Sequence, residues 1–394
     1  MSASFIPSEI LETPRNFMSN LPDHRSLNIA TFSRIFEKTT NSYKYLFFLS
    51  LLDILARNEF KPNLNIPFKD LVIEILANAW FPYTYFKLSF GVQDQITKKL
   101  ESLKLVITEP ILQFRDSDKK LLRKTISEQT YTDLVKFLST YVPYRLIRPF
   151  FAEETKKLKD AQVNQFVLNL ANESKDNDRS FYYFDSDTES LCNGINLVPN
   201  WVEYIANNFS VIKGWASWEW LKYMQTKNPT TPNLSSKLFM PKKRGSLSSQ
   251  TKLWELVLEQ SPIRCLYSGS VLDPENISID HYLPWSFVAH DQPWNLIPIL
   301  PEVNSSKSNH LPSEIYFQGF VNLQHQALKI THEHLKGQAW SKATESYIID
   351  LNLNEDDLLD KHKLFKAYED TVKPLITLAE RQGFTPGWTY KVNS

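Results

Sequence analysis

The chain has 394 residues, 44 basic and 44 acidic side chains, and so no formal net charge. That length suits two or three domains. Glycine occurs only 9 times and 42% of the residues are apolar, which points to a mostly helical globular protein and tells against a β-sandwich, a β-barrel or a glycine-rich phosphate loop. Balanced charge gives no global pull on a polyanion, so any such surface has to be local. Two cysteines, Cys192 and Cys265, are too few for a disulfide framework or a four-thiolate zinc site.

The N-terminus lacks the basic stretch and apolar run of a signal peptide. The most apolar stretch, 45–56, is far shorter than the roughly 20 residues of a membrane span. A cytoplasmic protein with no membrane partner is expected. Ser42 stands where a cap would open a helix from Tyr43 to about Asn58, apolar on nearly every side and therefore central. Phe68 to Trp80 repeats the helical period through Leu71, Ile75, Leu76 and Ala79. Val92 to Leu105 and Tyr131 to Tyr141 follow, so the first 170 or so residues read as a helical bundle. Residues 172–179 are wholly polar and read as a loop, Phe181 to Phe184 as a short strand, and Asn193-Gly194 as a tight turn. Helical periodicity returns from Pro199 to about Thr226. The tail from about 315 reads as two or three helices with an acidic patch at Glu355-Asp356-Asp357.

One window breaks the charge balance. Between Glu219 and Glu255 there is no acidic residue, while Lys222, Lys227, Lys237, Lys242, Lys243, Arg244 and Lys252 give it seven positive charges. Three prolines and a polar connection, Thr230 to Ser236, suit an exposed arm able to lie along phosphates. A solvated basic loop with no partner has the same composition. Trp215, Trp218, Trp220 and Tyr223, and the run from Trp80 to Phe86, offer faces for base stacking, although aromatics at helical spacing usually build core.

The residues with the most chemistry lie between 263 and 312. Ile263 to Tyr267 and Ile277 to His281 read as two short strands, with a turn at Gly269 and Pro284 ending the second. Pro301 opens a helix to about Ser308. Asp280 is a hard oxygen ligand, and His281 beside it is a general base usable at neutral pH. Neighbours on a strand face opposite ways, so both serve one site only where the strand ends or bends. Asn304 adds a second oxygen donor, Lys307 shares its helix face, and Asn295 is placed to bridge the backbone of the connecting loop. Few protein oxygens in a site suit Mg²⁺, which keeps several waters. The remaining histidines, His24, His290, His310, His325, His332, His334 and His362, read as solvated or structural, with His310 near enough in sequence to approach this group. His332 and His334, two apart on a helix, do not share a face for zinc.

Asp280-His281-x-x-Pro284-x-Ser286, Asn295-Leu296 and Asn304-x-x-Lys307 resemble the ββα-metal motif (His-Me finger) of HNH endonucleases, most of all the HNH domain of CRISPR RNA-guided effector nucleases. The flanks Ser261 to Cys265 and Tyr316 to Phe320 are similar to bacterial stand-alone HNH proteins. The resemblance covers about 50 residues. It implies that Asp280 and Asn304 hold one Mg²⁺ or Mn²⁺, that His281 deprotonates the attacking water, that Asn295 orients the histidine loop, and that Lys307 contacts a phosphate. Many relatives hold a zinc with two Cys-x-x-Cys pairs. Here Ser268 stands at the third position after Cys265 and no second pair exists, so no zinc is expected and packing against flanking helices must hold the small unit together.

The expected fold is mainly α with a small α+β, ββα-metal nuclease domain. Its parts are an N-terminal helical domain at 1–235, a basic arm at 236–254, the HNH domain at 255–315 and a C-terminal helical segment at 316–394. The expected function is a metal-dependent DNA endonuclease, with RNA not excluded. Lys237, Lys242, Lys243, Arg244 and Lys252 would track phosphates. Analogy suggests a bacterial anti-phage defence or restriction-type effector working with a separate ATPase or sensor. A non-cleaving nucleic-acid-binding subunit of a larger complex is the alternative.

Overall fold

The computed structural model describes residues 21–37, 39–112, 114–116, 118–130, 132–239 and 245–391. They fall into two compact units, one of the described residues within 1–79, 90–106 and 121–224, the other of those within 80–89, 107–120 and 225–394. Helices dominate both, with small antiparallel sheets between them.

In the first unit the expected central helix is α1, Tyr43–Arg57, with ten of its side chains buried. Ser42 does not cap it. Its hydroxyl donates instead to buried Asp94, whose own Oδ1 accepts from the Ile96 N–H and caps the later helix α3. Helix α2 spans Phe68–Trp80 and α3 Gln95–Leu103. Helix α4, Thr132–Ile147, runs well past the expected end at Tyr141 and carries Pro143 inside it. Helix α5, Asp160–Glu173, packs on a sheet of β1 (Asn65–Pro67), β2 (Tyr182–Phe184) and β3 (Gly194–Leu197), in the order β1-β3-β2. Three-residue β1 is too short to show a period of two, which is why sequence reading missed it. Asn193-Gly194 is not a tight turn. Gly194 opens β3 where a Cβ would sit 2.8 Å from the Ile66 carbonyl oxygen, so the close approach of β1 is what requires glycine.

Helices α6 (Pro199–Asn207) and α7 (Phe209–Lys227) follow β3. Trp215 packs into a cluster of rings with Phe32, Phe36 and Phe48, at centroid separations of 5.0 to 6.0 Å. Trp220 and Tyr223 are buried and stacked on each other. Trp218 is 58% exposed. The aromatic stripe is therefore core apart from one ring.

The second unit is built on a two-stranded antiparallel sheet, β4 (Ser278–His281) and β5 (Leu296–Ile299), with Asp280 opposite Ile297 and His281 opposite Leu296. The expected strand at 263–267 does not form. That stretch makes one isolated bridge, Arg264 to Val271, across the turn at Gly269, and the true partner strand follows the site instead of preceding it. Pro298 is tolerated in β5 because a two-stranded sheet has only edges.

Helix α8 (Ser248–Gln260) lies against β4 and β5, α9 (Pro301–Lys307) against β4, and α10 (Phe317–His334) against β5. Helices α11 (Gln338–Asp350) and α12 (Lys361–Arg381) close the core. They do so with polar ties as well as apolar packing. The Gln324 amide donates to the Leu296 carbonyl at 2.8 Å and accepts from the Tyr347 hydroxyl at 2.6 Å, and the Tyr368 hydroxyl donates to the Trp294 carbonyl at 2.9 Å. Tyr282 stacks on Phe320 at 3.9 Å. The C-terminal helices thus supply the core that a 30-residue sheet-and-helix unit is too small to bury by itself. No helix among the described residues is long and apolar enough to cross a membrane.

Candidate active site

Strand β4 ends at His281, and that ending decides what its last two side chains meet. Asp280 is almost fully buried. Its Oδ1 accepts from the Lys307 ammonium at 3.1 Å, and its Oδ2 lies 3.0 Å from the same ammonium and accepts from the Tyr267 hydroxyl at 3.3 Å. Lys307 has no exposed side-chain surface and donates a further bond, at 2.7 Å, to the His281 carbonyl. Its burial pulls the ammonium below the ordinary lysine range, while the Asp280 charge pushes it back up. The expected phosphate contact of Lys307 is corrected here: an ammonium sealed inside and bonded to a carboxylate and a carbonyl has no phosphate within reach. It positions Asp280. Burial and the neighbouring Asp280 charge also hold the Tyr267 phenol well above its usual range, so it stays a donor.

Asn304 sits one helical turn before Lys307 on α9, so the two share a face. Its Nδ2 donates to the Ser278 hydroxyl at 2.6 Å. Ser278 and Asp280 are two apart on β4 and so share a strand face. Asn304, Lys307, Ser278, Asp280 and Tyr267 are thereby drawn to one side of the strand.

The imidazole of His281 is engaged elsewhere. Its Nε2 lies 2.7 Å from Asp291 Oδ1, with the two side chains 7% and 24% exposed. A carboxylate only accepts, so Nε2 carries the proton, and in the neutral ring Nδ1 holds the lone pair. Asp291 fixes this tautomer. It lies in the loop between the strands, where no periodicity marks it. The nearby ring of His290 is kept neutral, its pKa lowered to about 4 by burial.

Asn295 is completely buried and bridges the loop to itself. Its Nδ2 donates to the Leu283 carbonyl at 2.9 Å and its Oδ1 accepts from the Leu283 N–H at 2.8 Å, while its own carbonyl accepts from the Tyr282 N–H at 2.8 Å. These bonds extend the pairing past the end of β4 and hold the chain just after His281. His310, at the end of α9, donates from Nδ1 to the Lys307 carbonyl at 2.8 Å.

Of the basic arm's five candidate residues, two lie among the described residues. Lys242, Lys243 and Arg244 lie outside the described residues. Lys237, expected to track phosphates, is fully buried in the short helix Leu234–Leu238, with its ammonium 5.3 Å from the centre of the Phe287 ring. Lys252 on α8 is exposed. Cys265 is buried. Among the described residues no cluster of three or more His, Cys, Asp or Glu side chains exists to hold a metal ion. The donors at hand are instead one carboxylate and one carboxamide. With the Asn304 amine end taken by Ser278, its carbonyl oxygen is the end left for a cation. Such a hard-oxygen pair suits Mg²⁺ that keeps most of its water.

The model of the HNH endonuclease family matches residues 265–313, a stretch that contains β4, β5, α9 and every site residue above except those of the basic arm. No curated protein and no solved structure matches the chain.

Proposed function

We propose that the HNH endonuclease domain at 265–313 hydrolyses phosphodiester bonds in DNA with a divalent cation, Mg²⁺ or Mn²⁺. The observation that carries this reading is the pair formed by His281 with Asp291, directly next to the buried carboxylate of Asp280. Such a pair aims the imidazole, holds Nε2 as the donor, and stabilises the imidazolium that forms when the ring accepts a proton.

His281 takes a proton from water at Nδ1, and Asp291 stabilises the positive ring that results. Asp280 and Asn304 are the residues that would hold the cation, which when bound polarises the scissile phosphate and stabilises charge on the leaving oxygen. Lys307 and Tyr267 hold the Asp280 carboxylate in place through their hydrogen bonds. Asn295 fixes the backbone that follows His281, so the ring starts from a rigid strand end. Sequence choice does not belong to so small a module, and the helical unit that precedes residue 225 is the natural place for recognition of a DNA structure, a modification or a partner. A cytoplasmic defence or restriction-type effector, switched by a separate ATPase or sensor, fits that division of labour.

The test uses supercoiled plasmid, linear duplex, single-stranded DNA and RNA, each with Mg²⁺ or with EDTA. The parent protein should cut DNA only with the metal, and His281→Ala should lower the rate by about 10²- to 10⁴-fold, the range of one general base, while melting normally. Tight binding with no cutting of any substrate in any metal would replace this reading with that of a non-cleaving subunit.

A further inference from the structure

A cavity of about 640 Å³ opens in the first unit, and no residue of the nuclease reading lines it. Its wall includes Lys44 from the first turn of α1, Tyr141 and Arg145 from the last turns of α4, and Arg148 from the 3-10 turn Arg148–Phe151 that follows. Three cations from two stretches of chain distant in sequence therefore face one space.

Their charges are poorly compensated. Arg145 pairs with Asp160 at 2.8 Å through Nη1, but its Nε is buried with no hydrogen-bond partner among the described residues. Arg148 spends its donors on the neutral Thr155, at 3.2 Å to both the hydroxyl and the carbonyl oxygen. Lys44 has one long contact among the described residues, 3.4 Å to the Ile35 carbonyl. Of the two carboxylates on the wall, Glu37 is bound to Arg34 at 2.9 Å, and Glu153 is exposed. Burial lowers the Lys44 ammonium to about 8, and the charges of Arg145 and Arg148 add to that. Like charges held together in a concave, half-dry space are costly unless an anion joins them.

The shape narrows the anion. A lone phosphate fills a small part of such a volume, which matches the 300–1,000 Å³ of organic-ligand sites. The Tyr141 ring is 51% exposed at this wall, a flat face on which a base can stack. We propose that the cavity binds a nucleoside phosphate, with Lys44, Arg145 and Arg148 on the phosphate and Tyr141 against the base. The phosphate is that of a free nucleotide or of a strand's 5′ end.

Calorimetric titration of the full chain with ATP, ADP, AMP, adenosine, inorganic phosphate and a 5′-phosphorylated dinucleotide tests this. Nucleotides should bind and adenosine should not. Binding of mononucleotides would identify a free ligand, and binding of the dinucleotide alone a strand end. Lys44→Met and Arg148→Gln should each weaken binding by tenfold or more, the loss of one charge-assisted bond. Lys44→Met removes only one long contact, so it should melt like the parent even if Arg148→Gln does not. His281→Ala should bind as the parent does, which separates this site from the nuclease reading. Adenosine binding as tightly as ATP, unchanged affinity in Lys44→Met, or no binding at millimolar concentration would each overturn the proposal.

Discussion

Lys307 in the HNH motif and Lys237 in the segment before it are both fully shielded from solvent, and both carry, in the sequence, the look of phosphate contacts. Their surroundings differ in kind. Lys307 meets a carboxylate and a carbonyl, so the cost of drying its charge is offset by the charge it faces. Lys237 meets the face of Phe287, and its ammonium has no hydrogen-bond partner among the described residues. Burial alone lowers it to about 7. Place in a motif thus tells that a lysine matters, and local charge density tells that cations are near, but neither tells whether the ammonium points out or in.

Replacing Lys307 should break the comparison most severely. Lys307→Met leaves Asp280 buried without its counter-charge, a change that typically costs about 3–5 kcal/mol, and urea unfolding should shift by that order while cleavage is lost. Mg²⁺ sharpens the result. If Asp280 holds a cation, added Mg²⁺ should raise the melting temperature of Lys307→Met more than that of the parent, because the ion then supplies the missing positive charge. Equal responses in the two proteins would separate Asp280 from metal binding.

The opposite sign is expected at Lys237. Its folded pKa lies below the unfolded value of 10.5, so between about 7 and 10.5 the unfolded chain binds more protons and stability rises with pH. The stability is fully present above 10.5 and is lost as pH falls to 7. Lys237→Met removes that loss. At 1.36 kcal/mol per pKa unit the gain has an upper limit of roughly 5 kcal/mol. Giving up an attraction to the Phe287 ring worth about 2 kcal/mol leaves about 3. Urea unfolding at pH 7 and again near pH 10 checks both the sign and the fading of the gain. A variant less stable than the parent at pH 7 would mean that the ammonium has a partner stronger than a ring.

How much of this was legible beforehand follows the same division. The motif from Asp280 to Lys307 lies within 28 residues of chain, and its spacing marked Asp280, His281, Asn295 and Asn304 as candidates, along with the helix opened by Pro301 and the end of the strand before Pro284. What stayed hidden depended on pairing at a distance. The strand that β4 needs is Leu296–Ile299 rather than 263–267, because both stretches are short and apolar, and nothing local ranks one above the other as a partner. Asp291, which aims His281, sits in a loop without period. Tyr267 reaches Asp280 only once the turn at Gly269 folds back. In the first unit, Ser42 and Asp94 are 52 residues apart, and Lys44 and Arg145 meet only when α1 and α4 pack, so neither contact had a sequence signal.

Lys252 gives the mildest test and bears on what remains of the basic arm. It stands exposed on α8, whose other face packs on the site's sheet, so a phosphate can reach it without any rearrangement. Each lysine on a duplex phosphate contributes close to one unit to the slope of log affinity against log salt. Lys252→Ala should therefore flatten that slope by about one and leave stability within about 0.5 kcal/mol of the parent. Lys237→Met should leave the slope untouched, since a buried ammonium releases no counterions from DNA. If instead the slope falls in Lys237→Met and holds in Lys252→Ala, the inward placement of Lys237 is not the one the protein uses when bound, and the arm has to turn that helix outward to meet its substrate.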